Sequence, residues 1–124
     1  MIKPAQIEAI QKELDHCLEK FPELEDVELV IEESPALSGA CGRRGNSRVV
    51  ILLTPLRLLD HPDIFRPIIY HELSHMINME NPDEVFFARA DEQSKQLWKL
   101  LEGVSALHCE VVQADDKTAI YSPV

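Results

Sequence analysis

The residues His71-Glu72-Leu73-Ser74-His75 constrain this chain more than any other stretch. Two histidines four apart can act together only on a helix, where positions i and i+4 lie one above the other on one face. Both imidazoles can then point at a single metal ion. Glu72 sits about 100° round the helix from His71, beside such an ion rather than on it. From there its carboxylate can take a proton from a water that the metal acidifies and pass it to a leaving amine. Zinc lowers the pKa of such a water to about 7, so the chemistry runs at neutral pH. The competing reading is a chance occurrence of the pattern. The surroundings weigh against chance, because Ile69, Leu73, Met76 and Ile77 give the segment a separate apolar stripe.

The rest of the chain reads as a scaffold for that helix. Pro4 to about Lys20 places Ile7, Ile10, Leu14, Cys17 or Leu18, and Phe21 at helical spacing, and Phe21-Pro22 ends the pattern. Val27, Leu29 and Ile31 alternate with acids, as in a half-buried strand. Ser34 to Asn46 is glycine-rich and reads as a loop or irregular hairpin. Ser47 to Thr54 is apolar and β-branched, a second, more buried strand and an antiparallel neighbour of the first. Pro55 to Asp60 reads as a short helical turn. The motif helix then runs from about Asp63 or Pro67 to Met79, with Pro67 in its first turn. Asn81 reads as the N-cap of one last helix ending at Gly103, with Pro82 at N1 and Phe86, Ala90, Gln93, Leu97, Leu101 and Val104 as its buried stripe. Residues 105–124 form a tail without an assigned structure.

The expected fold is therefore α+β: helix, strand, strand, active-site helix and C-terminal helix around a short antiparallel sheet. The 124 residues make one domain, 1–124, with a core at 1–104. A formal charge of −10 argues against nucleic-acid backbones and anionic membranes. The one basic patch, Arg43, Arg44 and Arg48, is small. No run approaches the roughly 18 apolar residues of a membrane span. The first residues carry no secretory h-region. Three cysteines without CxxC spacing fit neither a disulfide framework nor a zinc ribbon, so a cytoplasmic setting is expected.

A catalytic zinc takes three protein ligands and water. Asn78 and Asn81 stand where HExxHxxGxxH would place its glycine and third histidine, so the third ligand should be an acid. Glu84 is the first choice, after a corner at Met79-Glu80-Asn81-Pro82 that folds the next helix back. It could equally complete a capping box with Asn81. Asp91, on the same helix face, suits a partner behind a ligating histidine. Asp91 or Glu92 is the alternative ligand.

The run Gly39-Ala40-Cys41-Gly42, then Arg48-Val49-Val50-Ile51-Leu52-Leu53, then Ile68-Ile69-Tyr70-His71-Glu72-Leu73-Ser74-His75 resembles the zincin metallopeptidases. It is most similar to the small single-domain types, the minigluzincins and SprT-like proteases. The resemblance covers roughly residues 39 to 92. It implies a zinc-dependent peptidase with His71 and His75 as zinc ligands and Glu72 as general base. Its substrate would be a peptide or unfolded protein. It also implies that Ser47 to Thr54 forms the upper rim of the cleft and binds an extended substrate by strand addition. Phe87 stands where a gluzincin would carry its ligating glutamate, and SprT-like DNA-binding elements are absent. The open cleft of small zincins leaves room for self-association.

Other residues have plainer readings. His16 and His61 are surface histidines, and Trp98 packs a helix. Tyr70, Arg89, His108 and Tyr121 are candidates to face an oxyanion. His108-Cys109 could fold back onto the metal. Two further function classes stay open: a zinc-binding regulatory or interaction domain of the same fold without peptidase activity, and an adaptor carrying HExxH by chance.

Overall fold

The computed structural model describes residues 1–102 and 118–121. Its elements are α1 (Pro4–Leu18), β1 (Val27–Glu33), β2 (Ser38–Arg44), β3 (Ser47–Thr54), α2 (Arg66–Ile77), α3 (Pro82–Arg89), α4 (Glu92–Glu102) and β4 (Thr118–Tyr121). Two 3-10 turns, Leu56–Leu58 and Pro62–Phe65, lead from β3 into α2. This is a small α+β domain. Among the described residues no helix is long and apolar enough to cross a membrane.

The sheet is mixed, not antiparallel, and its order is β1-β3-β2-β4. β1 and β3 run parallel, from Val27 opposite Arg48 to Glu33 opposite Thr54. The reversal between them is made by β2, a strand where the sequence suggested loop or irregular hairpin. β2 returns antiparallel along β3, from Ser38 opposite Leu53 to Arg44 opposite Ser47. A two-residue loop joins β2 to β3. Gly45 opens it at φ +59, a conformation that suits glycine at the first position of such a turn. β4 adds antiparallel to the far side of β2, from Cys41 opposite Tyr121 to Arg44 opposite Thr118. Ser47 to Thr54 is therefore central, hydrogen-bonded on both edges, and cannot be the rim that accepts an added strand. β2 occupies that flank.

β3 is buried on both faces, which explains its unbroken apolar run. Val50 and Leu52 join the main core with Ile10 and Leu14 of α1, Phe65, and Ile69 and Leu73 of α2. Val49, Ile51 and Leu53 pack with Ala40 on the opposite face. α1 buries Ile10, Leu14 and Cys17 at helical spacing. Ile7 of the expected stripe stays largely exposed.

α2 is enclosed rather than amphipathic. Pro67 through His75 are all buried, and Met76 and Ile77 only partly so. Its first residue, Arg66, places a cation at the positive end of the helix, an unfavourable position by itself. Acids from two other elements offset it. The guanidinium donates to Glu13 of α1, with Nε at 2.8 Å, and reaches Asp91 at 3.4 Å. The Cys17 thiol lies 3.8 Å from the Arg66 carbonyl and completes the seam between α1 and α2.

The last helix of the sequence reading is two helices. α3 ends at Arg89, and Ala90 takes an extended backbone at ψ 153. Asp91 then caps the start of α4, its Oδ1 accepting from the Ser94 amide at 2.7 Å. The break resets the helical face. Ser94 and Trp98 point inward, whereas Gln93, assigned to the buried stripe, is exposed. Gly103 and Val104 lie outside the described residues.

Candidate metal centre

His71 and His75 share one face of α2, as the spacing requires. Their Nε2 atoms stand 3.0 Å apart, with the rings edge to face at a centroid distance of 4.5 Å. Two nitrogens held by a tetrahedral zinc ion are about 3.3 Å apart, given Zn–N bonds of about 2.0–2.1 Å. The pair is thus within a few tenths of an ångström of bidentate spacing. Both rings are buried. Burial disfavours the imidazolium of His75 and lowers its pKa from the ordinary 6.5, against smaller opposing effects from the Met79 backbone and the Asp83 charge. A neutral imidazole is the form that binds metal. The spacing of the two histidines and the protonation preference of His75 fit the ion.

Glu72 projects from the neighbouring face onto β2 and is 1% exposed. Its carboxylate lies alongside Gly39, where an added Cβ would stand 3.2 Å from Oε2. It also hydrogen-bonds the Cys41 thiol. Burial, together with the Glu72 charge, pushes the Cys41 thiol far above its ordinary range, so it stays protonated as a weak donor. Cys41 is a buried neighbour of Glu72, not an exposed reactive thiol. Ser74, the remaining polar residue of the motif, folds its hydroxyl back onto the Tyr70 carbonyl at 2.7 Å.

A cavity of about 370 Å³ opens beside His75, between the end of α2 and the β2–β3 hairpin. Cys41, Gly42, Arg43, Arg48, Met76, Ile77 and Met79 complete its wall. Two of the three arginines of the basic patch therefore face this space. Arg44 instead pairs with Glu28 of β1 at 3.9 Å.

The acids proposed as third ligands lie elsewhere. Among the described residues no third His, Cys, Asp or Glu joins the pair in a group that could hold a metal. Glu84 is exposed, and its Oε2 accepts from the Asn81 side-chain amide at 3.0 Å; the Asn81 backbone N–H donates instead to Asn78 Oδ1, so the capping box with Asn81 does not form. Asp91 serves Ser94 and Arg66 and sits 3.6 Å from His16, not behind a ligating histidine. Glu92 is exposed. Arg89 forks onto Glu23 at 2.6–2.7 Å and covers the Phe21 ring, and Tyr70 packs between Phe21 and Phe86. His108 and Cys109 lie outside the described residues.

One contact was not legible in the sequence. Trp98 of α4 stacks on His71, with centroids 4.4 Å apart and planes within 22°. Phe86 of α3 touches both rings, at 6.3 Å from His71 and 5.5 Å from Trp98. α3 and α4 thus cover His71 through these two rings. A helical stripe predicts that Trp98 is buried, but nothing in its spacing names the surface it meets.

Comparisons with family models, with curated proteins and with solved structures found no match to this chain.

Proposed function

We propose that this chain is a minimal zincin-type metallopeptidase that hydrolyses peptide bonds in peptides or unfolded proteins. The observation that carries the reading is the convergence of His71 and His75 at 3.0 Å on one helix face, with buried Glu72 on the adjacent face and a cavity alongside. His71 and His75 would hold zinc through Nε2. When bound, zinc supplies a Lewis acid that acidifies water and polarises a carbonyl. The Glu72 carboxylate takes the proton of the attacking water and delivers it to the leaving amine nitrogen. β2 supports that role through Gly39, which leaves room for the side chain, and Cys41, whose thiol steadies the carboxylate. Trp98 and Phe86 against His71 shield that side of the pair from bulk water and strengthen these charge interactions.

A second reading, a zinc-binding regulatory domain of the same fold without turnover, draws on the absence of a grouped third ligand among the described residues. One set of measurements separates the two. Protein purified without chelator or nickel resin should carry about one zinc per chain. His71→Ala and His75→Ala should lose it. Glu72→Ala should keep it and lose cleavage of denatured protein. Zinc without turnover on unfolded substrates favours the regulatory reading. Absence of zinc, or equal cleavage by Glu72→Ala, removes the peptidase mechanism.

A further inference from the structure

Trp98 is the one tryptophan of the chain, and it is 4% exposed. It belongs to α4, yet the surface it covers is the face of His71. A histidine on a helix keeps considerable freedom about its terminal torsion, because that torsion is broad and roughly two-fold. The His75 contact meets one edge of the ring at Nε2. A parallel indole with its centroid at 4.4 Å lies flat against one face of the ring and constrains its plane, with Phe86 meeting the ring at 6.3 Å. Phe86 backs the stack and limits sliding of the indole. The interaction also depends on charge. An imidazole bound to a cation gains positive character, and the electron-rich face of an indole attracts positive charge.

We infer that Trp98 is a positioning residue for the metal site: its indole face fixes the plane of His71 and favours the metal-bound imidazole. This rests on the metal-binding half of the reading above and does not require peptidase activity. It assigns α4 a part in metal retention, although no α4 side chain ligates the ion. Groups that orient a ligating histidine typically change metal affinity by about 10–100-fold when removed.

The test is metal affinity, measured by competition with a chromophoric chelator. Trp98→Leu fills the apolar site without a π face and should bind zinc about 10–100-fold more weakly. Trp98→Phe restores a face and should recover most of that loss, with a melting temperature close to that of Trp98→Leu. A second measurement uses wild-type protein alone. Cobalt(II), a paramagnetic zinc substitute, should quench the tryptophan emission saturably at one equivalent, and excess zinc should reverse it. The inference is overturned if Trp98→Leu binds zinc as tightly as wild type, or if Trp98→Phe binds no better than Trp98→Leu. Should Trp98→Leu fail to fold, the cobalt titration decides, since bound cobalt without quenching also overturns it. If wild-type protein binds neither metal, it is the functional reading that fails.

Discussion

Gly39→Ala isolates the packing of α2 against β2. A Cβ built at Gly39 would stand 2.6 Å from Ile68 Cγ2, closer than carbon atoms tolerate, and 3.2–3.3 Å from Oε2 and Cγ of Glu72. Ile68 is itself 1% exposed, so its branch methyl has nowhere to retreat. Either β2 and α2 separate or Ile68 leaves its rotamer. Overpacking of this kind costs about 1–3 kcal/mol. At about 4 °C per kcal/mol for a domain of this size, the melting temperature should fall by about 4–12 °C. Circular dichroism melts of wild type and variant measure the drop. The cause is checked with Ile68→Ala, which removes the opposing methyl and by itself costs about 2–5 kcal/mol through the cavity it leaves. In that background the severe contact is gone and only the 3.2–3.3 Å contacts with Glu72 remain, so Gly39→Ala should cost clearly less than in wild type. An unchanged melting temperature for Gly39→Ala, or an equal cost in both backgrounds, refutes the account of β2 as the strand pressed against α2.

Two further outcomes follow from the charged seam and the thiols. Burial opposes the Asp91 charge, but Ser94 and Arg66 outweigh it and hold the carboxyl below its ordinary 3.8. A depressed carboxylate adds stability that is present above pH 3.8 and lost as pH falls through the lowered value. Arg66→Met should therefore cost about 1–2 kcal/mol at neutral pH. In urea titrations across pH, the gap to wild type should narrow below pH 4, and a gap independent of pH would contradict the assignment. Cys17 and Cys41 are buried with their thiols driven upward chiefly by desolvation. Neither should react with iodoacetamide at pH 8 in the native protein, and both should after denaturation. Mass spectrometry of the labelled peptides reads the result, and rapid native labelling of Cys41 would remove it from its place beside Glu72.

The features legible in the sequence were those set by local chemistry. Pro67 fixes the start of α2, the four-residue histidine spacing fixes the shared face, and Asn81-Pro82 marks the start of α3. What escaped was set by tertiary contact. Ser38 to Arg44 contains two glycines and no β-branched residue, so its propensity is that of a loop. It is a strand because small side chains are what the space under Ile68 and Glu72 accepts. Once β2 is missed, β1 and β3 look like a hairpin, and parallel pairing cannot be inferred. The division between α3 and α4 did leave a trace. Asp91 followed by Ser94 is a capping pattern, but read as metal chemistry it hid the break and shifted the inward face of α4, Trp98 included. Of the acids named as third ligands, Asp91 is engaged as a cap of α4 and in the Arg66 pair, whereas Glu84 and Glu92 are exposed.

The sheet order also determines how the molecule meets copies of itself. β4 covers the outer side of β2, so among the described residues the strand that ends the sheet on the other side is β1. An uncovered strand edge invites pairing with a neighbouring chain. β1 carries Glu28, Glu32 and Glu33 within seven residues. Two such edges brought together would set carboxylates against carboxylates at strand spacing, a repulsion that weakens as salt rises. Part of the −10 charge thus lies on the strand that ends the sheet among the described residues, where it disfavours edge-to-edge pairing.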